Sequence, residues 1–249
     1  MKIKSIIRFT LFTSILCYVM ELWGDSFVNK EKNFTLELFG TKVGTCSTKF
    51  TESQNELKGK SIITMKLSQR NRIVNVKYES LTDYNKATLE PLKYICRITT
   101  EDEKTSIITV KIENKKAIIQ FMSPTLKYDT SIDLPKNFFI LDDNFVLDQY
   151  EIFLKKLNYP SKSTDKDSFK RQSFNILVPQ TTSVTPKTKK LIVSDISEGK
   201  IKIADKEIDT YKVGVELEDD LTIIMWVTKE NKELLKYEIP SQKATAVLK

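Results

Sequence analysis

Any chemistry done by this chain must be done without histidine, because none of its 249 residues is one. That removes Ser-His-Asp and Cys-His nucleophile activation, imidazole acid–base catalysis and histidine metal ligation together. Carboxylates, serines, lysines and thiols remain. Asp142, Asp143 and Asp148 form an acidic group that could in principle hold calcium or act as an acid–base pair. No loop of metal-ligand spacing accompanies them, and a helical run follows directly, so they read as a helix cap with its first-turn charges. Glu101-Asp102-Glu103 and the acidic stretch from Glu216 to Asp220 read as solvated hairpin tips. Ser163-Thr-Asp-Lys166 and Ser197-Glu-Gly-Lys200 match the S-x-x-K pattern of serine acyl enzymes. The supporting S-D-N and K-T-G elements are missing, and a lysine-rich chain produces such matches by chance. With no catalytic set, no metal site and no cofactor motif, the expectation is a protein that is not an enzyme.

Two further residue sets could do something other than catalysis. Cys46 and Cys96 are the cysteines outside the N-terminal segment, and a pair in an exported chain invites a disulfide. Both lie in strand-like runs, so small buried side chains on different strands are the competing reading. Trp226 falls in Ile223-Ile-Met-Trp-Val227, apolar on both faces, which suggests a strand covered on both sides or one facing a cavity. With Phe121, Phe138 and Phe139 it could line an apolar pocket, although a β protein of this size also needs aromatics in its core. Asn33-Phe-Thr35 is a glycosylation sequon by pattern, meaningful only in a secretory eukaryote.

The formal charge of +7 is carried almost wholly by scattered lysines. Only five arginines are present, Arg8, Arg70, Arg72, Arg97 and Arg171, where phosphate recognition favours arginine forks. That excludes a nucleic-acid groove from the reading and leaves loose contact with anionic membrane surfaces open. At the N-terminus, Lys2, Lys4 and Arg8 precede an apolar run from Phe9 to Met20 that is short for a bilayer span. Residues 1–24 therefore read as an export signal, against a buried helix or an uncleaved anchor. Lipid anchoring at Cys17 is disfavoured because a large residue, Leu16, precedes it. The expected location is periplasm or cell surface.

The elements that would position these residues are mostly strands. Phe34 to Phe39, Ile73 to Tyr78, Ile107 to Ile112 and Ala117 to Phe121 alternate apolar and polar residues, as half-buried antiparallel strands do. Glu113-Asn-Lys-Lys116 reads as a hairpin turn, and Gly40 and Gly44 as a bend between strands. Further strands are expected at Phe174–Val178, Lys190–Val193, Lys200–Ala204, Tyr211–Leu217, Leu221–Val227, Leu234–Ile239 and Ala244–Leu248, with a turn at Glu198-Gly199. Between Asn144 and Leu157, apolar residues at helical spacing predict one amphipathic helix of about three turns, lying across or plugging a sheet. The polar stretch from Ser161 to Arg171, and Thr181 to Thr188, read as loops. The fold class is mainly β: an antiparallel curved sheet, half-barrel or sandwich. One β-rich domain over 28–249 is expected, in two halves (28–141 and 172–249) joined by the helix and loop at 144–171.

The ordered series Phe39-Gly-Thr-Lys-Val-Gly-Thr45, Ile140-Leu-Asp-Asp-Asn144, Leu177-Val-Pro179, Trp226-Val227 and Leu234-Leu-Lys-Tyr-Glu-Ile-Pro240 resembles bacterial exported proteins of unknown function built as an antiparallel half-barrel. That resemblance implies an envelope location and no catalytic residues. Half-barrels of this shape are similar to periplasmic lipoprotein carriers, whose concave face holds acyl chains. Two functions are thus expected in competition. One is a binding protein for a lipid or other apolar ligand on the concave face; the other is a structural or interaction protein of the envelope, contacting another protein or the membrane surface.

Overall fold

The computed structural model describes residues 28–69, 72–101, 104–142, 144–160, 170–179, 187–218 and 221–249. The export-signal segment with Cys17, together with Asp143, Ser163–Lys166 and most of the 161–171 loop, lies outside them. One sheet of fifteen strands dominates. Its first part runs β1 (Glu31–Leu38), β2 (Thr41–Glu52), β3 (Glu56–Gln69), β4 (Arg72–Asn85), β5 (Pro91–Thr100), β6 (Thr105–Glu113), β7 (Lys116–Met122) and β8 (Lys127–Asp133). After β9 (Phe138–Ile140) and the helix α1 (Leu147–Lys155) come β10 (Gln172–Val178), β11 (Lys187–Ile203), β12 (Lys206–Leu217), β13 (Leu221–Thr228), β14 (Leu234–Ile239) and β15 (Ala244–Leu248).

The chain lays these strands down as two meanders, β1 to β8 and β10 to β15, each strand pairing with the next in sequence. The meanders join where β1 pairs antiparallel with β15, Phe34 opposite Leu248 and Leu38 opposite Ala244. The sheet is curved and unclosed, antiparallel throughout except for the short β9, which runs parallel to β10. Its two end strands, β8 and β9, are neighbours in sequence. Only residues 134–137 separate them, so Asp133 and Phe138 are at most about 18 Å apart. The sheet therefore curls well past half a turn, and β9 comes to lie near β5.

Local sequence explains the turns. Asn114 and Lys115 both take positive φ (50° and 62°), as do Phe39 and Gly40 (52° and 75°) and Ala204 and Asp205 (44° and 67°). Two consecutive left-handed residues match the right-handed twist of the strands they connect in a tight hairpin. The turn expected at Glu198-Gly199 is absent. β11 runs unbroken through it, and its irregularity falls instead between Val193 and Asp195, where a bulge offsets the pairing with β12. A second bulge shifts β1 against β2 between Leu36 and Glu37. Bulges of this kind bend the strand and raise its twist, which a sheet this curved requires.

Alternation sets the core. In β1, Lys32, Phe34 and Leu36 face inward; in β13, Ile223, Met225 and Val227 do. The helix lies against this inner face, touching β2, β3, β14 and β9. It is shorter than the spacing predicted, and although its residue pattern is amphipathic its polar face does not meet solvent: every residue from Leu147 to Leu154 is buried. The polar residues Asp148, Gln149 and Glu151, which patterning assigns to a solvent face, lie inside the sheet with the apolar ones.

Candidate functional site

A short helix buried on all sides has to satisfy its own polar groups from the walls around it. Here the walls supply most of them, with Asp148 Oδ2 and Glu151 Oε2 the exceptions on the helix among the described residues. Glu151 accepts from Lys32 Nζ at 2.5 Å and from the Leu234 backbone N–H at 3.2 Å. Glu233 approaches the same ammonium at 3.5 Å and binds Lys30, at the surface, at 3.2 Å. Charge thus alternates from solvent to core: Lys30, Glu233, Lys32, Glu151. Burying such a set is costly, and it is tolerated only with close pairing; loss of one member typically costs 3–5 kcal/mol.

Asp148 sits one turn earlier, wholly buried. Ser61 Oγ donates to its Oδ1 at 2.5 Å, and the Asp148 backbone N–H points back to Ser61 Oγ at 3.4 Å. Its other oxygen has no hydrogen-bond partner among the described residues and lies against Gly59, where an added Cβ would stand 2.5 Å away. Burial raises the carboxyl to about 7, the Ser61 hydrogen bond opposing and the nearby Glu151 charge adding to the rise. Gln149 completes the set, receiving the Asp142 N–H at 2.6 Å and reaching Thr82 Oγ1 at 3.4 Å. The sheet under the helix is built to admit it. Thr48, Ser61 and Ser80 stand in one cross-strand row, and Gly59 and Thr82 in the next, all facing inward.

The cap reading of the acidic group is corrected by this geometry. Val146 occupies the N-cap position and makes no side-chain cap hydrogen bond. Asp142, fully buried, instead accepts from Tyr94 Oη at 2.6 Å and from the backbone and side chain of Asn144 at 3.0 and 2.7 Å. It is a tie between β5 and the turn that enters the helix. That turn contains Phe145 at φ 60°, an unfavourable conformation for a bulky residue. The Cys46 thiol donates to its carbonyl at 3.4 Å, and its ring packs edge-on against Tyr237.

The Cys46–Cys96 disulfide is not formed; both are free, buried thiols. Cys46 is on β2 and Cys96 on β5, with β3 and β4 between them. Three strand spacings of about 4.8 Å exceed the reach of a disulfide. Burial pushes both thiols up, Cys96 to about 12 with the Asp142 charge adding to the effect.

The aromatic candidates do not converge. Trp226 is on the outer face, between the buried Met225 and Val227 of the inner face, with the ammonium groups of Lys212 and Lys236 at 5.9 and 4.6 Å from its ring centroid. The lysine stems, not a second layer, shelter its apolar surface. Phe121 stacks on Tyr128, and Phe139 packs edge-on against Phe153 and Phe174. Phe138, half-buried, packs against the same core.

Away from the helix, a groove of about 490 Å³ crosses β2 to β5. Gly44, Met65, Val76 and Thr100 stand opposite one another across these strands. To one side lies the row Thr45, Thr64, Lys77, Thr99; to the other lie Lys66 and Asn75, with Asn75 bonded to Glu101 at 3.1 Å. Ile63 and Met65 are buried inward, so Thr64 and Lys66 between and beyond them face outward. Lys42 and Val43 close one end. Sequence reading missed both this groove and the Lys32 set. The latter had a signal: Lys32 is in phase with Phe34 and Leu36, on the inward face.

Among the described residues, no helix is long and apolar enough to cross a membrane, and no group of acidic residues and cysteines is placed to hold a metal ion. Compared with protein-family models, curated proteins and solved structures, the chain matches none of them.

Proposed function

We propose that this is an exported, non-catalytic binding protein whose ligand is an amphiphilic anion, an acyl chain with an acidic head, held in the groove across β2 to β5. The observation that carries the reading is the groove itself. Its volume of about 490 Å³ falls in the range of small-molecule sites, roughly 300–1,000 Å³. Its lining combines Val43, Thr45, Thr64 and Thr99 with Lys42, Lys66 and Lys77, while Gly44, Met65 and Val76 form its floor. Apolar walls with a few cations at the rim suit a chain that ends in a carboxylate or phosphate. Lys77 already pairs with Glu79 at 3.0 Å, but an exposed pair of this kind is worth little and yields readily to a better anion. The concave-face site has less support, because α1, buried from Leu147 to Leu154, occupies the inner face.

Titration of the full chain with oleate below its micellar concentration, read by native mass spectrometry, tests the proposal. One oleate per chain is expected, lost on Lys66→Glu and on Lys42→Glu with the melting temperature unchanged. No binding, or binding that ignores both variants, overturns it.

A further inference from the structure

Among the described residues, the last strand of the first meander keeps one edge without a paired strand: β8 pairs with β7, from Lys116 opposite Asp133 to Met122 opposite Lys127, and is the terminal strand of the sheet. None of its seven residues is buried; exposed and half-buried positions alternate along it. A free row of backbone donors and acceptors is a template for another strand unless something blocks it. Here the side chains that would block an arbitrary strand are arranged to accept one in particular.

We propose that the β8 edge is a self-recognition surface and that its occupant is β8 of a second copy, paired antiparallel about a two-fold axis at Thr130. An isologous contact requires that the strand be complementary to its own reverse. The sequence Lys-Tyr-Asp-Thr-Ser-Ile-Asp satisfies this along its whole length. With Thr130 facing Thr130, Lys127 falls opposite Asp133, Tyr128 opposite Ile132 and Asp129 opposite Ser131. No like charges meet. On the exposed face two opposite-charge pairs form, one at each end. On the half-buried face, Tyr128 and Ile132, which pack against the core only in part, cover one another. The register centred on Tyr128 also brings Lys127 to Asp129 but engages only three residues.

The surroundings agree with a contact here. Two of the large apolar residues left exposed, Met122 at 50% and Leu126 at 45%, flank the β7–β8 turn at the mouth of this edge. Pairing about Thr130 carries Leu126 to the end of β8 in the second copy, where Leu134 follows. The result is one continuous sheet spanning two molecules, with the exposed apolar residues at its join.

The test is the oligomeric state of the mature chain across a dilution series, by light scattering coupled to size-exclusion chromatography. A concentration-dependent dimer is expected. Lys127→Asp places two like-charge pairs in the interface and should weaken the dimer by roughly tenfold or more. Combining it with Asp133→Lys exchanges the partners, returns the chain to its original composition and net charge, and should restore the dimer. Both positions are exposed, and the melting temperature reports that folding is retained. Thr130→Cys, which faces itself across the axis, should cross-link on oxidation, whereas Lys127→Cys should not. A monomer at every concentration, or a dimer indifferent to the charge variants, overturns the proposal.

Discussion

At the scale of single residues, the consequential ones are the charges that the sheet encloses. Among the described residues no cation pairs with Asp148; the Ser61 hydroxyl donates to it, and it is wholly buried. Unfolded, its carboxyl ionises near pH 4, whereas in the folded protein burial keeps it protonated up to about 7. Between those values the folded state holds the extra proton. Its contribution to stability is therefore greatest at or below about pH 4 and is lost as the pH rises to 7. The slope approaches one proton, about 1.4 kcal/mol per pH unit. Asp148→Asn keeps an acceptor for Ser61 and cannot ionise. Urea denaturation at pH 5 and pH 7.5 should show wild type losing stability relative to Asp148→Asn at the higher pH; parallel behaviour would refute the assignment. Lys32 and Glu151, by contrast, are a matched pair.

The fit between helix and sheet belongs to the element scale. α1 can enter because β2 to β4 present Thr48, Gly59, Ser61, Ser80 and Thr82 where an ordinary strand would present Val or Leu. Gly59→Ala should cost about 1–3 kcal/mol, because its Cβ would stand 2.5 Å from Asp148 Oδ2 and 3.0 Å from the Phe50 ring. Removing the obstructing carboxylate with Asp148→Ala should then recover part of the loss. Gly199→Ala, with nothing nearer than 3.8 Å, serves as the neutral comparison in the same thermal melt. These residues also explain what was legible in the sequence. The strands with clean alternation, such as Phe34 to Leu38 and Ala117 to Phe121, stand out because their inward residues are large and apolar. β3 does not, since Gly59 and Ser61 interrupt its inward set of Leu57, Ile63 and Met65. The helix is legible from the spacing of Val146, Tyr150, Phe153 and Leu154. Its burial is not, because Asp148, Gln149 and Glu151 have partners that are distant in sequence: Ser61, Thr82 and Lys32. The groove rests on cross-strand rows, and register is invisible to a reading of single segments.

At the scale of the whole molecule, Cys46 and Cys96 report on the integrity of the sheet. Each is buried on the inner face with its thiol pushed up, so neither presents thiolate while the sheet is intact. Alkylation with iodoacetamide followed by peptide mapping should leave both unmodified in the native protein and label both in denaturant. Labelling of one alone under native conditions would mean that its part of the sheet opens locally. A disulfide-linked pair would contradict the strand order itself.

The pairing of β1 with β15 has a further consequence, in time. The sheet's edges, β8 and β9, are consecutive strands, while its central seam joins its first strand to its last, Glu31–Leu38 to Ala244–Leu248. During synthesis β1 is the first of the fifteen strands to be made, and its neighbour on that side is the last of them. Until then the first meander carries a second open edge, which the finished protein keeps at its centre. Loss of β15 would accordingly not fray a border, as loss of an outer strand does. It would divide the molecule down its middle.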